Sequence, residues 1–73
     1  MNNDTRKTIE TAAWTGGLMP DGLTAPEQVY YHGLWYIFHA YRIKSVDAET
    51  TKDYCRSLRL EVEQLEEEVK AHG

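Results

Sequence analysis

The residues of this chain best suited to chemistry are aromatic and basic. Trp35, Tyr36, His39 and Arg42 fall within about two helical turns of one another. Aromatic faces stack on planar ligands, and a guanidinium pairs with anions or lies over a ring. Such a set could form a platform for a nucleobase or another planar ligand. Tyr31 and Tyr41 extend the supply of rings, and Arg6, Lys7, Lys44, Arg56 and Arg59 could converge on a small anion. The candidate ligand-binding residues are Tyr31, Trp35, Tyr36, His39, Arg42, Arg56 and Arg59.

Other chemistry is poorly supplied. His32 and His39 are seven residues apart, about 10 Å along a helix axis. Two ligands to one metal on a helix sit four residues apart, so one chain offers no metal site, and no cofactor is expected. Cys55 is the single cysteine. A nucleophilic thiol needs a base and an activating environment, and neither is visible. The sequence shows no Ser/His/Asp set and no paired carboxylates beside a polar pocket, so an enzyme is not expected. The amides of Gly16 and Gly17 could meet an anion, but the lysine and the GxxxxGK[ST] spacing of a P-loop are missing.

The elements that must position these residues read as helices. Asp4 is placed to cap a first helix, residues 4–15, whose thin apolar stripe is Ile9, Ala12 and Ala13. Gly16-Gly17 stops it, since glycine takes the left-handed conformation at little cost. Pro20-Asp21-Gly22 is a turn signal. Thr24 and Glu27 form a capping box, with Pro26 in the first turn where its missing N–H costs nothing. The connector is therefore 16–24, and a second helix runs over 25–44.

That second helix has too many apolar faces. Tyr30, Leu34, Ile37 and Tyr41 make one stripe, Tyr31, Trp35 and Phe38 a second, and Val29, Tyr36, Ala40 and Ile43 a third. Only Gln28, His32 and His39 mark a polar strip. A helix apolar nearly all round must be covered nearly all round. Gly33, which costs about 1 kcal/mol against alanine in mid-helix, marks the close approach of another helix.

A third helix, residues 47–71, opens at Asp47 as N-cap. Ala48, Thr51, Cys55, Leu58, Val62, Leu65 and Val69 alternate spacings of three and four, as in a coiled-coil seam. Cys55 on that seam reads as a buried structural thiol, and Leu60 lies off it. Lys52, Arg56 and Arg59 occupy the first half of this helix; Glu61, Glu63, Glu66, Glu67 and Glu68 crowd the second. Parallel self-pairing would bring the glutamates together. Antiparallel pairing, or docking of the acidic end on a basic partner, would not.

The expected fold is all-α, a single domain over 1–73. A short N-terminal helix precedes a long antiparallel helical hairpin, which oligomerises as a helical bundle. A chain of 73 residues buries only about 60% of its unfolded surface. With one cysteine it has no internal disulfide, so oligomerisation is the expected support. The expected oligomer interface is Tyr30, Leu34, Ile37, Phe38, Tyr41, Leu58, Val62, Leu65 and Val69. Eight basic and twelve acidic residues give a formal net charge of −4. That disfavours duplex DNA and anionic membrane as partners. A helix-turn-helix reading fails on the acidic third helix, where a recognition helix should be basic. No apolar run approaches the roughly 20 residues of a membrane span. MNNDTRK has no apolar signal region behind it, and a lone thiol fits a reducing, cytosolic setting.

Gly16, Gly17, Pro20, Gly22, Leu23, Pro26, Glu27, Gln28 and Tyr31 spell GGxxPxGLxxPEQxxY, and Tyr41-Arg42 closes the second helix. In this pattern the chain resembles a family of very small proteins of phages and prophages of Firmicutes. The resemblance covers most of the chain and carries no catalytic motif. It implies a protein that acts by binding in the cytoplasm of an infected host. Compact antagonists of host defence are of this kind, including anti-CRISPR proteins and oligomeric sponges for nucleotide signals. The expected partners are further copies of the chain, and either a small anionic ligand or a host defence protein. The alternative is a structural or virion-assembly adaptor.

Overall fold

The computed structural model describes residues 1–72, with side chains through residue 71. The chain is all-helical, with no strand among the described residues. Its elements are α1 (Asn3–Thr15), α2 (Ala25–Arg42) and α3 (Ala48–His72).

The helix ends follow from local hydrogen bonding. α1 is capped by Asn2 rather than Asp4: Asn2 Oδ1 accepts from the Thr5 N–H at 2.8 Å. Asp4 sits inside the first turn, where its carboxylate complements the helix dipole. Gly16, at φ 72°, ends α1, and the Gly17 N–H returns to the Ala12 carbonyl at 2.9 Å. Thr24 and Glu27 form the capping box of α2. The Thr24 N–H donates to Glu27 Oε1 at 2.9 Å, and the Glu27 N–H to Thr24 Oγ1 at 3.3 Å.

α2 ends at Arg42, two residues before its expected end. Lys44 turns into the left-handed region at φ 63°. Its N–H donates to the Tyr41 carbonyl at 3.1 Å, and the Ser45 N–H to the Ala40 carbonyl at 2.9 Å. This is the same closure that Gly16 makes at the end of α1, here made by a residue with a side chain. Asp47 then caps α3: its Oδ1 accepts the Thr50 N–H at 2.7 Å. That bond holds the Asp47 carboxyl below the usual carboxylate range.

α2 is the central element and packs on both α1 and α3. The core is Ile9, Ala13, Tyr30, Tyr31, Leu34 and Val62, flanked by Ala12, Leu23, Phe38, Cys55 and Leu58. The two buried tyrosines place their hydroxyls on partners: Tyr30 donates to Glu10 at 2.6 Å and Tyr31 to the Gly17 carbonyl at 2.5 Å. The close approach expected at Gly33 is made by Leu58 of α3. A Cβ added at Gly33 would lie 2.6 Å from Leu58 Cδ2. Along the same pair of helices, Phe38 and Thr51 line one recess and Pro26 and Val69 another.

The expected interface residues divide. Tyr30, Leu34 and Val62 are at most 1% exposed inside the single chain, so they cannot contact a second copy. Ile37, Phe38 and Leu58 are half-buried, and only Tyr41, Leu65 and Val69 are exposed. The reason is α1. Its Ile9 and Ala13 cover one flank of α2, cover that a thin apolar stripe does not advertise.

Candidate functional site

The seven ligand-binding candidates do not form one platform. Tyr31 is in the core, its hydroxyl committed to Gly17. Trp35 and His39 stack on the outer face of α2, with centroids 5.4 Å apart and planes 8° from parallel. Tyr36 meets Trp35 edge-on at 5.6 Å. These three rings are exposed. Arg42 is held elsewhere: its Cζ lies 4.6 Å from the centroid of the Trp14 ring. Trp14 also packs edge-on against Phe38 at 5.2 Å and beside Tyr41 at 6.3 Å. The Arg42 guanidinium thus joins α2 to the end of α1 by a cation–π contact.

Arg56 and Arg59 do come together, in a different place. A cleft of about 330 Å³ opens where the three helices meet. α1 contributes Glu10; α2 contributes Tyr30 and Phe38; α3 contributes Thr51, Lys52, Cys55, Arg56 and Arg59. Lys52, Arg56 and Arg59 follow the i, i+4, i+7 spacing and share one face of α3. Arg56 has only a 3.9 Å contact to Asp53, with both side chains about 70% exposed, a pair of little energetic weight. Neither Lys52 nor Arg59 makes an ion pair among the described residues. Glu10, the one carboxylate lining the cleft, accepts the Tyr30 hydroxyl.

This environment decides the protonation of the inner groups. Burial, then the hydrogen bond to Glu10, raises the Tyr30 hydroxyl far above the usual phenol range. Burial, reinforced by the Glu10 charge, pushes the Cys55 thiol up. The expected buried seam thiol is met only in part: Cys55 flanks the core but is half-buried and lines the cleft. The cleft has the Phe38 ring in its wall and three cations at its rim, while inside it the Tyr30 hydroxyl is committed to Glu10 and the Thr51 hydroxyl to the Asp47 carbonyl. Arg6, Lys7 and Lys44 do not line it. Lys44 and Arg42 instead line a recess at the α2–α3 turn, with Tyr41, Ser45, Val46 and Asp47. Among the described residues no three His, Cys, Asp or Glu side chains group as a metal site.

Lys52 could have been found from sequence, since it lies one turn before Arg56 on the same face. Glu10 and Trp14 could not, because their roles depend on where α1 docks.

The acidic half of α3 is not uniformly free. Glu66 is half-buried and accepts from the Met1 amino group at 2.9 Å. Glu61, Glu63, Glu67 and Glu68 are exposed. No helix among the described residues is long and apolar enough to cross a membrane.

No protein-family model matches the chain, no curated protein matches its sequence, and no solved structure matches it.

Proposed function

We propose that this chain is a phage-encoded, non-enzymatic binding protein that antagonises host defence by sequestering a small anionic nucleotide signal. It acts in the cytoplasm of the infected bacterium, as a homo-oligomer built around an antiparallel α2–α3 hairpin. The cleft carries this proposal. In a chain of net charge −4, Lys52, Arg56 and Arg59 line one concavity beside Phe38 and Tyr30. Cations that hydrogen-bond phosphate at a rim, with a ring for a base within, are the chemistry that nucleotide binding needs. The volume falls at the lower end of small-molecule sites. The resemblance to small phage proteins supplies the biological setting.

A second reading rests on Glu61, Glu63, Glu67 and Glu68, which are exposed on successive turns. Such a face could occupy the basic groove of a defence effector, as an anti-CRISPR protein does. A virion-assembly adaptor would use neither site.

Equilibrium binding to nucleoside mono- and diphosphates, cyclic dinucleotides and inorganic phosphate tests the choice. We expect micromolar binding of at least one nucleotide, weakened at least about tenfold in Arg56→Gln/Arg59→Gln, since charged hydrogen bonds contribute about 1.5–3 kcal/mol each. Glu63→Gln/Glu67→Gln/Glu68→Gln should bind normally. Absence of nucleotide binding, or binding indifferent to the arginine pair, would sink the sponge. Loss of phage protection on glutamate replacement alone would favour the effector-blocking form.

A further inference from the structure

The cleft between the three helices is not uniform along its length. Lys52 and Arg59 stand seven residues apart on α3, about 10 Å along the axis. At the Lys52 end the charged lining is cationic only, Lys52 and then Arg56, both exposed. The Arg59 end is mixed. Glu10 is fixed there by the 2.6 Å bond it accepts from the Tyr30 hydroxyl. The Arg59 charge is felt at that same hydroxyl, where it works against burial and Glu10. Glu10 and Arg59 are both half-buried, and neither forms an ion pair among the described residues. The hydroxyls inside the cleft are already used, Tyr30 on Glu10 and Thr51 on the Asp47 carbonyl. Glu10 and Arg59 are therefore the charged groups left to read whatever enters.

A carboxylate inside an anion-binding cleft selects against any ligand that brings it no donors. We infer, on the nucleotide-binding reading above, that the ligand of this cleft carries guanine. Glu10 accepts from the guanine N1–H and N2 amino group, Arg59 donates to O6 and N7, and Lys52 with Arg56 takes the phosphate. Glu10 has the capacity. Its Oε1 has no hydrogen-bond partner among the described residues, and each carboxylate oxygen can accept twice, so Oε2 has room beside the Tyr30 bond. Guanine is the common base that sets two adjacent donors next to an acceptor oxygen. Adenine would turn its N1 lone pair toward Glu10 and its amino group toward Arg59, and uracil offers a single donor between two carbonyls. Arginine on O6 and N7 is also the commonest specific pairing of a side chain with guanine in DNA recognition. The dimensions suit one nucleotide. The distance from Lys52 to Arg59 matches the reach from a base edge to its first phosphate. The volume of about 330 Å³, low for a small-molecule site, suits one base rather than two.

Calorimetric titration of the full chain with GDP, IDP and ADP is the test. IDP differs from GDP only in lacking the N2 amino group. It should bind at least about tenfold more weakly, since one hydrogen bond to a charged acceptor is lost. ADP should bind more weakly still, because it leaves both Glu10 and Arg59 without partners. Glu10→Gln should shrink the GDP-to-ADP affinity ratio at least about tenfold, since an amide offers one acceptor and one donor and pairs with the adenine N6 amino group and N1. Its Oε1 still accepts the Tyr30 hydroxyl, so the α1 contact is kept. Should the variant misfold all the same, the wild-type series of three nucleotides decides alone. GDP and ADP of equal affinity would overturn the guanine assignment and leave nucleotide binding in place. A GDP preference unchanged in folded Glu10→Gln would overturn it equally. Failure of all three nucleotides to bind would sink the nucleotide-binding reading itself, and the guanine assignment with it.

Discussion

Leu34 and Tyr36 are two residues apart on α2, yet Leu34 is 1% exposed and Tyr36 is 70% exposed. The inner flank of the helix carries Tyr30, Tyr31 and Leu34; the outer flank carries Trp35, Tyr36 and His39. Composition hardly separates them, since both are rich in rings. Contacts do. Inner hydroxyls have fixed partners at Glu10 and Gly17, and the inner apolar atoms meet Ile9, Ala13 and Val62. Outer rings stack mainly on each other along the helix. An aromatic residue is thus core or surface according to what docks on it.

The largest way to break this contrast is Leu34→Ala. Removing a fully buried leucine costs about 2–5 kcal/mol. A chain of this length holds only roughly 4–11 kcal/mol in total. Urea unfolding should show a loss of that size, with the midpoint near or below half the wild-type value. A loss under 1 kcal/mol would mean that α1 and α3 do not close over Leu34.

A smaller effect is expected from Tyr30→Phe, and its pH dependence identifies the cause. Deleting the hydroxyl removes the bond to the Glu10 carboxylate and should cost about 1.5–3 kcal/mol near neutrality, the range for bonds to charged groups. In the folded chain the Tyr30 hydroxyl titrates above its unfolded value, as does the Cys55 thiol. As pH rises past these unfolded values the unfolded chain sheds protons first, so it binds fewer protons than the folded one, and stability falls. The Tyr30 contribution is complete below about pH 10, the ordinary phenol value, and is lost as pH climbs toward the raised folded value. Thermal melts from pH 7 to 11 should therefore show an alkaline decline in the wild type that is shallower in Tyr30→Phe. Parallel declines would remove Tyr30 from the account.

What was legible in the sequence was local. Thr24 with Glu27, Gly16 and Asp47 set helix ends through bonds that span three to five residues, and each is made as its residue type implies. Gly33 announced a close helix, and Leu58 is there. The end of α2 was illegible because Lys44 takes a conformation that glycine normally signals. The allocation of α2 faces was illegible for a longer-range reason. α1 carries few large apolar side chains, yet Ile9 and Ala13 are enough to claim Tyr30 and Leu34 for the monomer core. The site suffered the same displacement. Arg42 was diverted by Trp14, a residue 28 positions earlier. Arg56 and Arg59 kept their association because one helix face holds both, while Glu10 entered only through the docking of α1.

The smallest expected effect is the one that sharpens the contrast most. Tyr36→Ala removes a larger side chain than Leu34→Ala, yet in dilute protein it should shift unfolding stability by no more than about 0.5 kcal/mol, as for other surface substitutions. Concentration changes the expectation. If a second copy covers Tyr36, folding is coupled to association, and the wild-type melting temperature rises with protein concentration. Tyr36→Ala should flatten that rise while leaving the dilute limit untouched. Melts at 1 and 100 μM decide it. A wild-type midpoint that does not move with concentration leaves the outer flank bare. An equal loss at both concentrations would show instead that Tyr36 supports the monomer itself, and the division between the two faces of α2 would have to be redrawn.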